Sequence, residues 1–399
     1  MEHTDLLVVG AGISGLSLAH AAARLGLSVR VLEATDRVGG CVHSHRYGGA
    51  QGDFWIELGS HTAYNSYGGM IALAEDLGLA SQMIPRVKQP FKMWVDGAFK
   101  SIPGYLGLGA IRFAMGLPRM LKGDKTGKSV RGHFRPAVGA RNYDRVFHPA
   151  FSAVACQDAD GFAADMLFKK RPRRRDLPRS YSFTGGLSTL TDAAAADPAI
   201  SVHPGMPVNG ITFESGNYAV STAPGDMFSA RFLALAMPPD VAAGLLRPRE
   251  ASLADLLATI PMVELDSLGV VVEAAPRAPF AGLIPSAAPF FSAVSRDTVP
   301  HEHFRGFTFH FHPDRLIWEE RLVQAAAVLG VGPEAFLETV EKRNRLPSLK
   351  AGHADKIVAL DRHLAGSSLL LTGNYFNGLA LEDCVSRSLA EADRLRQML

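Results

Sequence analysis

Gly10, Gly12 and Gly15, followed by Glu33 and the pair Gly39 and Gly40, have the types and spacing to hold a dinucleotide. Gly10 permits a sharp turn, Gly12 lets a pyrophosphate approach the backbone, and Gly15 lets a helix pack closely on a sheet. With Ala11, Ile13 and Ser14 they supply unpaired N–H groups at a helix N-terminus, where the dipole favours phosphate. Glu33 offers a carboxylate that accepts both hydroxyls of an adenosine ribose and repels a 2′-phosphate. Three glycines alone are weak evidence. Here they follow the apolar run Leu6-Leu7-Val8-Val9, and Val29-Arg30-Val31-Leu32 puts Glu33 at the end of a second strand. Strand, turn, helix, strand and acid in register predict a complete βαβ unit.

The elements that must position this unit are bounded by length and composition. At 399 residues, with 47% hydrophobic and 20% charged residues, the chain has room for two globular domains. A net charge of +2 points to no polyanionic partner, and nucleic-acid binding is not expected. Cys41, Cys156 and Cys384 lack disulfide or zinc spacing, which predicts a reducing compartment and no metal. The first strand starts within about five residues, leaving no room for a signal peptide, and no run of ~18 apolar residues predicts a membrane span. A cytoplasmic location is the expectation.

Beyond Glu33 the chain continues Ala34-Thr35-Asp36-Arg37-Val38-Gly39-Gly40-Cys41, then Glu57-Leu58-Gly59-Ser60-His61-Thr62. A nicotinamide enzyme usually enters its next βα repeat here. A second glycine pair, with Arg37 and exposed amides for the far side of a pyrophosphate, favours FAD. The turn at Gly59 and Ser60 is expected along the ribityl chain, with His61 and Thr62 near the flavin ring.

These residues resemble the N-terminal signature of the flavin-containing amine oxidase superfamily, met at Glu33, Ala34, Arg37, Gly39, Gly40, Glu57 and Gly59. Two departures stand out: Cys41 replaces a residue that is often basic, and Lys342 stands where the resemblance implies Trp. Val208 matches the residue whose backbone meets the adenine. The C-terminal Thr372-Gly373-Asn374-Tyr375, with Leu379, Ala380 and Leu381 opening a last helix, is read as a second set of N–H groups for the flavin's O2 and N1. Cys384 corresponds to an ordinary buried cysteine, so the resemblance implies non-covalent FAD. Segments 182–187, 346–353 and 373–384, with 141–165 in outline, are similar to the oxygen-dependent protoporphyrinogen oxidase branch, of which this chain would be a shortened member.

The fold class expected is α/β: a discontinuous Rossmann-like FAD-binding domain (1–66, 182–245, 366–399) and an α+β substrate domain (67–181, 246–365) on a mixed or antiparallel sheet. Residues 66–78 have helical spacing, and 91–102 read as a hairpin turning at Asp96-Gly97. Residues 103–128 mix apolar side chains with Arg112, Arg119, Lys122, Lys125 and Lys128. They read equally as an interfacial membrane helix or a cap over the substrate cavity. The basic run 169–179 reads as a solvated loop. Strands are expected at 265–273 and 304–312, and helices at 314–329 and 334–343.

Flavin oxidation needs a substrate carbon held over the ring in a dry cavity, and the cofactor carries the hard chemistry. His310 and His312 share one strand face, and with His61 they are the candidate catalytic side chains. The resemblance implies oxidation of a C–N or C–C bond in a hydrophobic or cyclic small molecule by hydride transfer, with O2 or a quinone as acceptor. The alternatives are an amine oxidase or desaturase of secondary metabolism, or a flavin- or lipid-binding accessory protein without turnover. Oligomeric state has no signature in the sequence.

Overall fold

The computed structural model describes residues 2–48, 54–223, 225–274 and 278–399. The strand Glu2–Val9 lies between Val29–Leu32 and Met227–Leu235, parallel to both. Ile200–His203 pairs beyond Val29–Leu32, and Leu369–Leu371 pairs with Leu233–Leu235, again in parallel. Asn217–Thr222 and Val208–Glu214 continue the sheet antiparallel. Successive side chains of a strand point to opposite faces. Leu6, Val8, Phe232 and Leu370 therefore enter the core beneath helix Ile13–Ala23, while Leu7, Val9, Leu233 and Leu371 enter the core on the other face. Burial on both faces explains the unbroken apolar runs.

The second sheet has the order Glu338–Pro347, Met262–Glu273, Phe304–Phe311, Phe290–Ser295, Gly282–Pro285, Phe91–Val95, Ala98–Ser101. It is antiparallel except where Gly282–Pro285 runs beside Phe91–Val95. An α/β dinucleotide-binding fold with a mixed-sheet partner is thus the architecture. The Asp96-Gly97 turn has positive φ at both residues, 49° and 75°, as a two-residue hairpin requires.

One expected helix is a strand. Residues 334–343 have helix-forming composition, yet Glu338–Pro347 pairs along its length with Met262–Glu273. Its exposure alternates residue by residue from Glu338 to Arg343, and tertiary pairing overrides the propensity of its Glu and Lys. The helix expected from 314 starts at Trp318.

Residues 103–128 contain helices Ile102–Leu106 and Gly109–Lys122. Phe113 and Met120 turn inward, and Gly116 sits so close to helix Val130–Val138 that a Cβ there would lie 1.8 Å from the Ala137 carbonyl oxygen. Ile111, Met115 and Leu121 remain exposed among Arg112, Arg119 and Lys122. The basic run is less free than expected. Lys169 and Arg171 pair with Asp383 at 3.5 and 2.6 Å, and Arg174 pairs with Glu75 and Asp176.

Candidate active site

The glycine turn is built by contacts that exclude a side chain. A Cβ on Gly10 (φ 110°) would lie 2.4 Å from the Ala236 carbonyl oxygen, and one on Gly15 would lie 1.9 Å from that of Gly10. Gly12 is extended and precedes the helix with no side-chain cap. Gly40 faces it, so that a Cβ on Gly40 would stand 3.3 Å from the Gly12 Cα, and the Gly39 N–H donates to the Ala11 carbonyl at 2.8 Å. Two backbone segments thus meet beside a positive helix terminus, a cradle suited to a diphosphate. The glycines and helix end fit the cofactor that the sequence implies.

Glu33 stands at the rim beside exposed Ala34. One carboxylate oxygen accepts the Ala11 N–H at 2.8 Å, and the other accepts the Thr35 N–H at 3.0 Å and hydroxyl at 2.9 Å. The Glu33 carbonyl accepts from Met206 N–H at 2.8 Å, which brings Val208 to this end of the site. Arg37 is turned onto its own loop, donating to the carbonyls of Val38, Val42 and Gly40 at 2.6, 2.9 and 2.6 Å. The cation that arrives from outside the loop is Lys342, whose Nζ donates to the Gly40 carbonyl at 2.9 Å. Burial pushes this ammonium down to about 8, and it pushes nearby His43 down to about 4 with help from Arg37 and Lys342.

Gly59 carries the chain past the cradle: a Cβ there would sit 2.0 Å from the Cys41 carbonyl oxygen, which accepts the Ser60 N–H at 3.2 Å. The second sheet holds this segment. Thr308 donates to the Glu57 carbonyl at 2.8 Å and Asn344 to the Leu58 carbonyl at 3.0 Å. The Glu57 carboxyl is buried, accepts from the Leu187 N–H and the Ser44 hydroxyl at 2.8 Å each, and is pushed up to about 7 by burial.

His61 and His310 are brought together, with ring centroids 6.3 Å apart, and His310 Nδ1 pairs with the Ser292 hydroxyl at 2.9 Å. Burial pushes them down to about 4 and about 3, so both are neutral at physiological pH. His312 is not part of this pair. It lies past the end of the strand and packs on Phe291 at 3.8 Å.

At the C-terminal anchor Gly373 has φ 155°, and a Cβ there would meet the Tyr375 ring at 2.6 Å. The preceding Thr372 hydroxyl is 2.8 Å from that of Ser388, which donates to the Ser14 carbonyl at 2.7 Å. Gly373 and Asn374 therefore follow directly on the contact between the last helix and the first. Leu379 precedes Ala380, the cap of helix Leu381–Arg396, and the Ala380 N–H is taken by Asp383 at 3.3 Å. Cys384 is buried, and its thiol is pushed up to about 12.

A small cavity of about 20 Å³ adjoins His61, lined by Trp55, Glu57, Arg86, Arg296 and Thr308 among others. Neither arginine belongs to a sequence motif. In the sequence Lys342 stands out only as a departure from Trp. Its nearness to Gly40 follows from a strand register opposite Ser267 that local sequence does not reveal.

Residues 13–279 match the family described as flavin containing amine oxidoreductase, and the chain belongs to that family, making it a flavin-dependent oxidoreductase. It is 26% identical over 313 residues to protoporphyrinogen oxidase 1, chloroplastic, of Arabidopsis thaliana, covering 64% of this chain and 57% of that protein. A match to coproporphyrinogen III oxidase of Propionibacterium freudenreichii subsp. freudenreichii covers 99% of this chain and 91% of that protein at 24% identity over 493 positions. A solved structure of putrescine oxidase superposes with a TM-score of 0.72 and 16% identity, covering 99% of both chains. Three curated relatives are matched over only 20%, 57% and 54% of their own length.

Proposed function

We propose that this chain binds FAD non-covalently and oxidises a C–N or C–C bond of a small hydrophobic or cyclic molecule, as an oxidase with O2 or a quinone as acceptor. The observation that carries the reading is the backbone cradle of Gly12 and Gly40, continuous through Cys41 and Gly59 with a cavity beside His61. Gly10–Gly15, Glu33, Ala34, Gly39, Gly40, Cys41 and Lys342 would hold the diphosphate and ribose end, with Val208 at the adenine. Gly59–Thr62, Gly373, Asn374 and Leu379–Leu381 would hold the flavin end. Bound flavin would supply the hydride acceptor. The protein orients the substrate against Phe304–Phe311 and excludes water, and neutral His61 and His310 offer hydrogen bonds rather than charge.

The two sheets support the division into a cofactor part (1–66, 182–245, 366–399) and a substrate part (67–181, 246–365). Among the described residues no helix is long and apolar enough to cross a membrane. The exposed apolar and cationic side chains of Gly109–Lys122 favour peripheral contact with an anionic bilayer surface.

Anaerobic addition of amines, amino acids, porphyrinogens and polyenes to the purified yellow protein tests the reading. One class should bleach the flavin band. A protein that binds FAD but is bleached by none of them would be an accessory protein, and flavin retained in an acid precipitate would overturn non-covalent binding.

A further inference from the structure

The basic run that follows Leu167 is fastened across the flavin end of the cradle. From Leu167 to Arg179 the chain forms no helix or strand, and three of its cations are tied down. Lys169 Nζ donates to the Asn377 carbonyl and stands 3.5 Å from the Asp383 carboxylate. Arg171 donates to the same Asp383 oxygen at 2.6 Å, and its guanidinium lies 5.6 Å from the Tyr67 ring centroid. Further along, Asn65 donates to the carbonyls of Arg174 and Leu177 at 2.9 and 3.2 Å, and Glu75 takes the Arg174 guanidinium at 3.0 Å. Lys169 and Arg171 reach their partners across 208 and 212 positions of sequence.

Asp383 stands where a bare carboxylate would oppose the chemistry. It shares the first turn of helix Leu381–Arg396 with Glu382, and acids there stabilise a helix. Hydride transfer, however, brings two electrons and one proton to a flavin, so the ring gains a negative charge unless a second proton follows. In the reading above, Gly373, Asn374 and Leu379–Leu381 meet the N1 and O2 end, where that charge gathers. Glu382 is spent on the N–H groups of Gly69 and Met70 at 2.9 and 3.0 Å, and burial pushes its carboxyl up. Asp383 has one oxygen on the Ala380 N–H at 3.3 Å and the other on both cations. Its side chain is only 7% exposed, so salt screens its charge little.

We propose that Lys169 and Arg171 are positioning residues for the flavin end, which cancel the Asp383 charge and so raise the reduction potential of the bound cofactor. The inference rests on the FAD reading above and goes beyond it, from where the flavin sits to what sets its electron affinity. Both cations act through Asp383, and Lys169 also fixes the Asn377 carbonyl that precedes the turn. A loop that merely held the site shut would favour oxidised and reduced flavin alike. A charge that offsets Asp383 favours the reduced, more negative form.

Titration of FAD-free protein with oxidised FAD and, anaerobically, with dithionite-reduced FAD gives two dissociation constants, whose ratio sets the shift in potential on binding. A redox titration of the loaded protein against a reference dye measures the same quantity. Arg171→Gln and Lys169→Gln should each weaken reduced FAD at least tenfold more than oxidised FAD, a fall of about 30 mV for a two-electron couple. Arg171→Lys should keep most of the potential, and Asp383→Asn should raise it. Equal weakening of both redox states in the Gln variants would leave the pair a structural latch and overturn the proposal. So would an Arg171→Lys potential as low as that of Arg171→Gln. If the Gln variants do not fold, Asp383→Asn decides, and an unchanged or lower potential there would overturn it. Unaltered protein that takes up no FAD fails the flavin reading and this proposal with it, whereas FAD uptake with an unmoved potential removes the proposal alone.

Discussion

Lys342 Nζ lies 2.9 Å from the carbonyl oxygen of Gly40, so a strand of the second sheet places an ammonium on the glycine loop of the first domain. Burial pushes that ammonium down to about 8, and it loses its charge as pH rises through that value. FAD affinity should therefore fall between pH 7 and pH 9. Lys342→Met should bind FAD roughly ten- to a hundredfold more weakly at pH 7, the scale of about 1.5–3 kcal/mol for a hydrogen bond to a charged group. The variant should also lose the pH dependence. Fluorescence titration of FAD at both pH values checks this, and equal affinity at pH 7 would count against it.

Glu57 titrates in the opposite sense. Its folded value of about 7 lies above that of an ordinary glutamate, so the folded chain holds a proton that the unfolded chain releases. Stability from this group is complete below about pH 4.5 and is lost as pH rises through about 7. Glu57→Gln keeps an acceptor for Leu187 or Ser44 and cannot ionise. Its melting temperature relative to the unaltered protein should rise steadily from pH 5 to pH 8, by the equivalent of up to about 3 kcal/mol. A constant difference across that range would refute the assignment.

The histidines should matter little as acids. With His61 and His310 held neutral, flavin reduction should show no inflection near pH 6.5 from either of them. Replacing His61, His310 or His312 singly by Gln should slow reduction by less than about a hundredfold, the low end for general acid–base groups. Stopped-flow reduction at intact FAD content measures this. A loss of several orders of magnitude in one variant would reveal an essential proton-transfer group.

Membrane contact should be both apolar and electrostatic. Cosedimentation with anionic vesicles should weaken as salt rises, since exposed charges are screened over ~8 Å at physiological ionic strength. Ile111→Ser with Met115→Ser should weaken it further without changing the melting temperature, because both side chains are exposed. Equal binding to neutral vesicles, or none to anionic ones, would remove the membrane role.

What the sequence discloses here depends on how local the constraint is. The contact of Gly15 with Gly10 and the bonds of Glu33 to Ala11 and Thr35 lie within one βαβ unit, so spacing and flanking strands reveal them, whereas the contact of Gly10 with Ala236 is set by a distant strand. The strand Glu338–Pro347 is set by pairing with Met262–Glu273, and its Glu and Lys residues carry the composition of a helix. Arg86 and Arg296 come from different segments, and only the folded chain shows that they share a cavity with Glu57. Arg37 shows a further gap: a basic residue beside glycines reads as a phosphate ligand, whereas here it braces its own loop.

Leu233 pairs with Leu7 on one side and Leu369 on the other. The central strand of the cofactor sheet thus needs partners from opposite ends of the chain, and closing such long loops before any contact rewards them slows assembly. Until Leu369–Leu371 docks, Leu233–Leu235 is left open on that edge for pairing with another chain, beyond the part of the strand that Asn217–Thr222 already covers. A supply of flavin during biosynthesis would then act as a folding aid, because a ligand that binds only the closed sheet draws the nascent protein away from aggregation.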